Sequence, residues 1–116
     1  MSKVTQTESS SVVTCPLALV APLPLTEHPA AVYLSALGLG SRPAMRQALD
    51  TIARLLTNNL CDAMTLDWAA LRYKHTAALR SVLMEKYAPA TANKMLSALR
   101  RVLKEALRFI GHKLRL

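Results

Sequence analysis

The stretch YAPATANKMLSALRRVLKEALR, residues 87–108, decides the fold of this 116-residue chain, because its periodicity predicts one long amphipathic helix. At about 100° per residue, its apolar side chains fall within one sector of roughly 120°. Basic and small polar side chains lie on the opposite side. Such a helix packs its apolar face against other elements and exposes the cationic one. The apolar sector contains Ala92, Met95, Leu96, Leu99, Val102, Leu103, Ala106 and Ile110.

The positive charge of the chain is concentrated in the same region. Residues 89–116 contain seven basic residues and one acid, Glu105, which together account for +6 of the formal net charge of +8. Charge aligned along one helix face indicates an anionic partner, either nucleic acid or a membrane surface. Small polar residues among the long cations favour nucleic acid over a merely solvated face, because they let a helix approach a duplex closely.

Shorter helices are predicted upstream of this one. The first begins near His28 or Pro29, with Thr26 as its candidate N-cap. The second begins at Ser41 and ends at the asparagine pair 58–59. Apolar residues recur at helical spacing in both segments, and the β-branched and aromatic runs typical of strands are missing.

The segment TLDWAALRYKHTAALRSVLMEKY, residues 65–87, predicts two elements rather than one continuous helix. A continuous helix would direct Arg72 into the same sector as Leu79 and Leu83. A helical turn over 67–71, a break near Tyr73 and a helix over 74–86 remove that conflict, with His75 as a partly buried packing residue. A Pro before the last helix separates it from this one. With 52% hydrophobic residues and three glycines, the chain is predicted to be all-α with four main helices.

Composition also divides the chain into a tail and one domain. Residues 1–26 pass from a Ser/Thr/Gln-rich stretch to an apolar stretch punctuated by proline, which predicts a disordered, flexible tail and linker. The folded domain is predicted over residues 27–112, followed by a short tail over 113–116. A domain of this size buries too little surface for a deep enzyme cleft.

No catalytic or metal-binding pattern is present in the sequence. The three histidines are scattered, Cys15 and Cys61 lack a CxxC spacing, and Asp62 and Asp67 have no placed partner for acid–base work. We therefore expect no metal, no cofactor and no small-molecule substrate, and a small basic enzyme is the least favoured interpretation. With no disulfide framework indicated, a reduced cytosol is the default, and we expect a cytoplasmic protein. The apolar runs fall short of the about 20 residues of a membrane span, and we expect no membrane partner.

The stretch 87–108 resembles the last helix of the core-binding domain of tyrosine recombinases (phage-type integrases), where a Ser/Thr-Pro-x-Thr start leads into a Leu-Ser-Ala-Leu-Arg run. SRPAMRQALDTIARLL (41–56) and TLDWAALRYKHTAALRSVL (65–83) resemble the second and third helices of that domain. The resemblance covers about residues 27–108. Two features depart from the family: Ala88 replaces the usual hydroxyl residue before the proline, and the ending FIGHKLRL differs from the linker to a catalytic domain.

The resemblance implies a SAM-like, orthogonal four-helix bundle that binds duplex DNA with its second and fourth helices toward the major groove. In the family, a separate C-terminal domain carries the catalytic Arg, Lys, His and Tyr residues. The expected function is therefore that of a non-catalytic DNA-binding module in DNA integration and recombination. Its implied partners are double-stranded DNA and other recombinase protomers. Carried onto matching positions, the DNA contacts would come from Ser41, Arg42, Arg46, Thr91, Asn93, Lys94, Ser97, Arg100, Arg101 and Lys104.

A second interpretation is a helical protein–protein interaction module, because small helical bundles also pair with other proteins. It predicts salt-tolerant self-association and no binding to DNA, whereas the first interpretation predicts DNA binding that weakens steeply with salt.

Overall fold

The computed structural model describes the backbone of residues 15–114 and the side chains of residues 15–108. The described part contains helices α1 (Pro29–Ser35), α2 (Arg42–Thr57), α3 (Tyr73–Lys86) and α4 (Pro89–Leu114), with a single 3-10 turn at Trp68–Ala70. This architecture confirms the all-α prediction with four main helices. Of the predicted tails, residues 1–14 and 115–116 lie outside the described residues, as does the side chain of Ile110.

Helix α4 is the central element of the fold. It packs against α1, α2, α3 and the 3-10 turn, while α2 also contacts α1 and α3. Its periodicity explains this position, because the predicted apolar residues between Ala92 and Ala106 face the core. Leu103 is half-buried, and Ala98, which the predicted sector omitted, is buried as well. The helix continues to Leu114, so the predicted tail boundary at residue 113 falls inside it.

The start of α1 differs from the prediction. His28, rather than Thr26, is the N-cap, and its Nδ1 atom accepts hydrogen bonds from the backbone N–H groups of Ala30 and Ala31 at 3.2 and 3.4 Å. Its Nε2 atom donates to the carbonyl oxygen of Met64 at 2.8 Å. The ring is 1% exposed and connects α1 to the loop over residues 58–67. His28 takes the place of the predicted cap because its two ring nitrogens form hydrogen bonds to α1 and to the loop at the same time.

Residues 15–19, which belong to the predicted tail and linker, lie against the loop before the 3-10 turn. The Leu19 N–H donates to the Thr65 carbonyl at 2.9 Å, and the Asp67 N–H donates to the Leu17 carbonyl at 2.7 Å. Between them, Ala18 forms an isolated antiparallel bridge with Leu66. Backbone pairing therefore holds residues 17–19 against the loop, although their composition resembles a linker.

The break between the 3-10 turn and α3 falls near the predicted place. Leu71 is extended, and α3 begins directly at Tyr73, one residue before the predicted start. His75 is partly buried, as predicted, and its Nδ1 atom also accepts a hydrogen bond from the Arg72 N–H at 2.8 Å, which caps the helix. At the end of α2, Asn58 adopts φ = 57°, a left-handed conformation that ends the helix as the sequence predicted.

Candidate nucleic-acid interface

Helix α4 presents a continuous polar surface opposite its buried side. From Asn93 to Arg108, the exposed polar residues fall within a sector of about 120° when placed at 100° per residue. They include every α4 residue that the sequence predicted as a DNA contact except Thr91, which is exposed in the first turn but lies outside this sector. We call this surface the cationic face and define it by Asn93, Lys94, Ser97, Arg100, Arg101, Lys104 and Arg108.

Most of the charge on the cationic face is not neutralised. Arg108 Nη1 lies 3.5 Å from Glu105 Oε1, an i,i+3 pair of an exposed arginine and a half-buried carboxylate that only partly offsets the charge of that end. Lys94, Arg100, Arg101 and Lys104 form no ion pair within residues 15–108. The first turn of α4 also carries no acid, so its positive helix-dipole end is unopposed. The face therefore attracts anions along its length.

The spacing of the cations suits a polyanion rather than a single phosphate. With a rise of 1.5 Å per residue, Lys94 and Lys104 are separated by about 15 Å along the helix axis. Arg101 lies between them. Ser97, also between them, has a short side chain that projects little from the helix surface. Duplex DNA carries one charge per about 1.7 Å of its axis, so several phosphates can lie within reach of this length.

The two arginines predicted on α2 have internal partners instead. Arg42 donates from Nε to the Leu37 carbonyl at 3.1 Å and from Nη2 to the Ser35 carbonyl at 3.0 Å. It therefore joins the end of α1 to the start of α2. Ser41 is exposed at that start, but its side chain makes no capping hydrogen bond.

Arg46 forms an i,i+4 ion pair with Asp50 on the same helix. Its Nε lies 3.2 Å from Asp50 Oδ1, an oxygen that also accepts the backbone N–H of Ala63 at 2.8 Å. Both arginines thus belong to the polar contacts that hold α1, α2 and the following loop together.

A different part of α2 lies beside the cationic face. Gln47 and Thr51 line a shallow groove between α2 and α4 together with Thr91 and Lys94. Gln47 follows Arg46 by one position and is therefore turned by about 100° around the helix axis. Sequence reasoning missed it because uncharged polar residues give no charge signal, although the i,i+4 spacing of Gln47 and Thr51 places both on one side of α2.

Asp62 and Cys61 lie outside the cationic face, and their surroundings shift the pKa of each side chain. Asp62 Oδ1 accepts hydrogen bonds from the Met64 N–H, the Thr65 N–H and the Thr65 hydroxyl at 2.9, 3.0 and 3.1 Å. Partial burial opposes ionisation, but these hydrogen bonds outweigh it and hold the pKa of Asp62 below its ordinary value. Burial raises the pKa of the Cys61 thiol, which favours its unreactive, protonated form.

Within residues 15–108, no three side chains of the His, Cys, Asp and Glu type lie close enough together to hold a metal ion. None of the described helices has the length and apolarity needed to cross a bilayer. No protein-family model, curated protein or solved structure matches this chain. A function for this chain is therefore inferred from the charges, exposure and contacts of its own residues.

Proposed function

We propose that this chain is a non-catalytic module that binds duplex DNA through the cationic face of α4, in the manner of the core-binding domain of tyrosine recombinases. The observation that carries the proposal is the absence of carboxylate partners for Lys94, Arg100, Arg101 and Lys104 within residues 15–108. Internal packing fixes the opposite side of the helix, so the orientation of these cations is set before a ligand arrives. The resemblance of the sequence to the recombinase domain supports the same function.

Binding through such a face is mainly electrostatic. Each cation that neutralises a phosphate releases condensed counterions, so affinity falls steeply as salt rises. A single module of this kind buries about 600 to 1,000 Å² of surface and makes roughly five phosphate contacts from α4. Asn93 and Ser97 add short hydrogen-bonding side chains that let the helix approach the duplex. We therefore expect weak binding by the isolated module, with limited readout of base sequence.

We expect Arg42 and Arg46 to contribute less than the sequence suggested. Two carbonyl contacts hold the Arg42 guanidinium against the end of α1, and the Asp50 carboxylate offsets the charge of Arg46. In the proposed complex, Gln47 and Thr51 therefore supply the α2 side of the interface, because they already flank Lys94. Their amide and hydroxyl groups can donate to phosphate oxygens or contact base edges.

The experiment that tests the proposal is a titration of a fluorescent duplex at several salt concentrations. Replacing Arg101 and Lys104 by Ala should reduce the slope of log affinity against log salt by about 2. The matched control replaces Lys74 and Lys86, two exposed lysines on α3, and removes the same charge from another surface. Its slope should stay close to that of the unaltered chain.

An equal reduction in both double variants would mean that only the overall charge matters, and an unchanged slope in the α4 variant would remove Arg101 and Lys104 from the interface. The rival interpretation, a protein–protein interaction module, predicts no titration of duplex at all. In that case, sedimentation should show self-association that persists at high salt.

A further inference from the structure

A second surface feature lies between α3 and α4 and has a character different from that of the cationic face. It is a groove of about 300 Å³. Leu96, Leu99 and Leu103 of α4 form its floor, and Thr76 and Ala77 of α3 form its wall. The small side chain of Ala77 leaves the wall low. The groove is large enough to receive an apolar side chain from another molecule.

The rim of the groove is basic and aromatic. Arg80 on α3 and Arg100 on α4 both line it and are exposed, and neither takes part in an ion pair within residues 15–108. Tyr73, also on the rim, is 85% exposed. None of the described residues that line the groove is acidic. Two unneutralised guanidinium groups thus flank an apolar floor, with an aromatic ring beside them.

We infer that the groove between α3 and α4 binds a segment of a partner protein in which apolar side chains alternate with carboxylates along one helix face. The leucine floor accommodates the apolar side chains, and Arg80 and Arg100 complement the carboxylates. Arg and Tyr are enriched among the residues that anchor protein interfaces. In helix-in-groove recognition, the bound helix places apolar anchors at positions i, i+3, i+4 and i+7.

A phosphate backbone fits the groove less well than such a segment does. Phosphates would use the two arginines but gain nothing from the leucine floor, since a phosphodiester has no apolar group to bury there. Arg100 lies on the boundary between the groove and the cationic face. A bound acidic segment would therefore lower the positive potential at one edge of α4. The inference itself stands on the groove and does not require DNA binding.

The test uses the full chain, labelled with ¹⁵N, and a synthetic helical peptide of about 14 residues. The probe carries leucines at positions i, i+3, i+4 and i+7 with glutamates between them, and the control probe carries lysines in place of the glutamates. We expect the glutamate peptide to shift the amide signals of Thr76, Ala77, Leu99 and Leu103, and the lysine peptide to leave them unchanged.

Variants then test the rim. Arg80→Glu should weaken binding of the glutamate peptide by at least about tenfold, because attraction becomes repulsion. Arg54→Glu, an equal charge change at an exposed site on α2 outside the groove, should weaken it far less. Tyr73→Ala removes the exposed ring and should also weaken binding, without a change in charge. Far-ultraviolet circular dichroism checks that each variant is folded.

Three outcomes would overturn the inference: no binding of the glutamate peptide, equal binding of the lysine peptide, or shifts confined to residues outside the groove. A short duplex that shifts the groove residues more strongly than the peptide does would assign the groove to nucleic acid instead.

Discussion

The polar side chains around the loop 58–67 and those on the cationic face of α4 differ in what they contact. His28, Asp50 and Asp62 each accept backbone N–H groups of their own chain. Lys94, Arg101 and Lys104 have no ion-pair partner within residues 15–108. The first group stabilises the fold, whereas the second contributes charge directed at solvent. Substitutions in the two regions should therefore affect different measurements.

The largest effect on stability is expected at His28. His28→Ala removes a cap of α1 and the hydrogen bond to the Met64 carbonyl, and leaves a cavity at a site that is 1% exposed. We predict a loss of about 2 to 4 kcal/mol in the free energy of unfolding, measured by urea denaturation.

His28→Asn is the matched control, because Asn is a good N-cap but is too short to replace both contacts of the ring. Its loss should be smaller than that of His28→Ala. A change below about 0.5 kcal/mol in His28→Ala, the range of ordinary surface substitutions, would contradict the structural role given to this ring.

Arg42→Ala and Arg101→Ala test the same difference between residues that stabilise the fold and residues that face solvent. Arg42→Ala should lower the free energy of unfolding by about 1 kcal/mol, because two carbonyls at the end of α1 lose their donor. Arg101→Ala should change it by less than about 0.5 kcal/mol, because the side chain is exposed and has no ion pair within the described residues.

In the duplex titration, the order of the two variants should reverse, with the larger effect on the salt slope from Arg101→Ala. Arg101→Ala is expected to reduce the salt slope by about 1, and Arg42→Ala by clearly less. If Arg42→Ala instead had the larger effect on the slope and none on unfolding, the original assignment of Arg42 to the DNA surface would be right.

The effect expected at Asp62 depends on pH. Hydrogen bonds lower its pKa in the folded state, so its stabilisation is fully present above the ordinary value of 3.8 and is lost as pH falls through the folded value. Asp62→Asn keeps an acceptor of the same shape but cannot ionise. The difference in unfolding free energy between the unaltered chain and this variant should be below about 1 kcal/mol at pH 7. It should shrink further below pH 3.8. A pH-independent difference would contradict the role of the ionised carboxylate.

The elements that the sequence predicted well are those set by local patterns. The periodicity of residues 87–108 identified the buried side of α4, and the asparagines after α2 marked its end, because both signals depend only on neighbours in sequence. The i,i+4 spacing of Arg46 and Asp50 is typical of a helical ion pair, a local signal that the prediction of Arg46 as a DNA contact did not use.

The features that the sequence did not predict depend on distant partners. His28 bonds a carbonyl 36 positions away, and residues 17–19 pair with residues 65–67, more than 40 positions along the chain. Arg42 meets carbonyls only 5 and 7 positions away, but they come within reach only because the chain turns between α1 and α2. The groove between α3 and α4 requires the relative register of two helices. Composition and periodicity carry none of this information.

The most direct test of the central claim is a nuclear magnetic resonance titration of the ¹⁵N-labelled chain with a short duplex. We predict that amide shifts follow the outward side of α4 from Asn93 to Lys104 and extend to Gln47 on α2. The loop over residues 58–67 should remain unshifted. Shifts centred on the loop, or none at concentrations of duplex that saturate weak binders, would contradict the proposal that the cationic face of α4 is a DNA-binding surface.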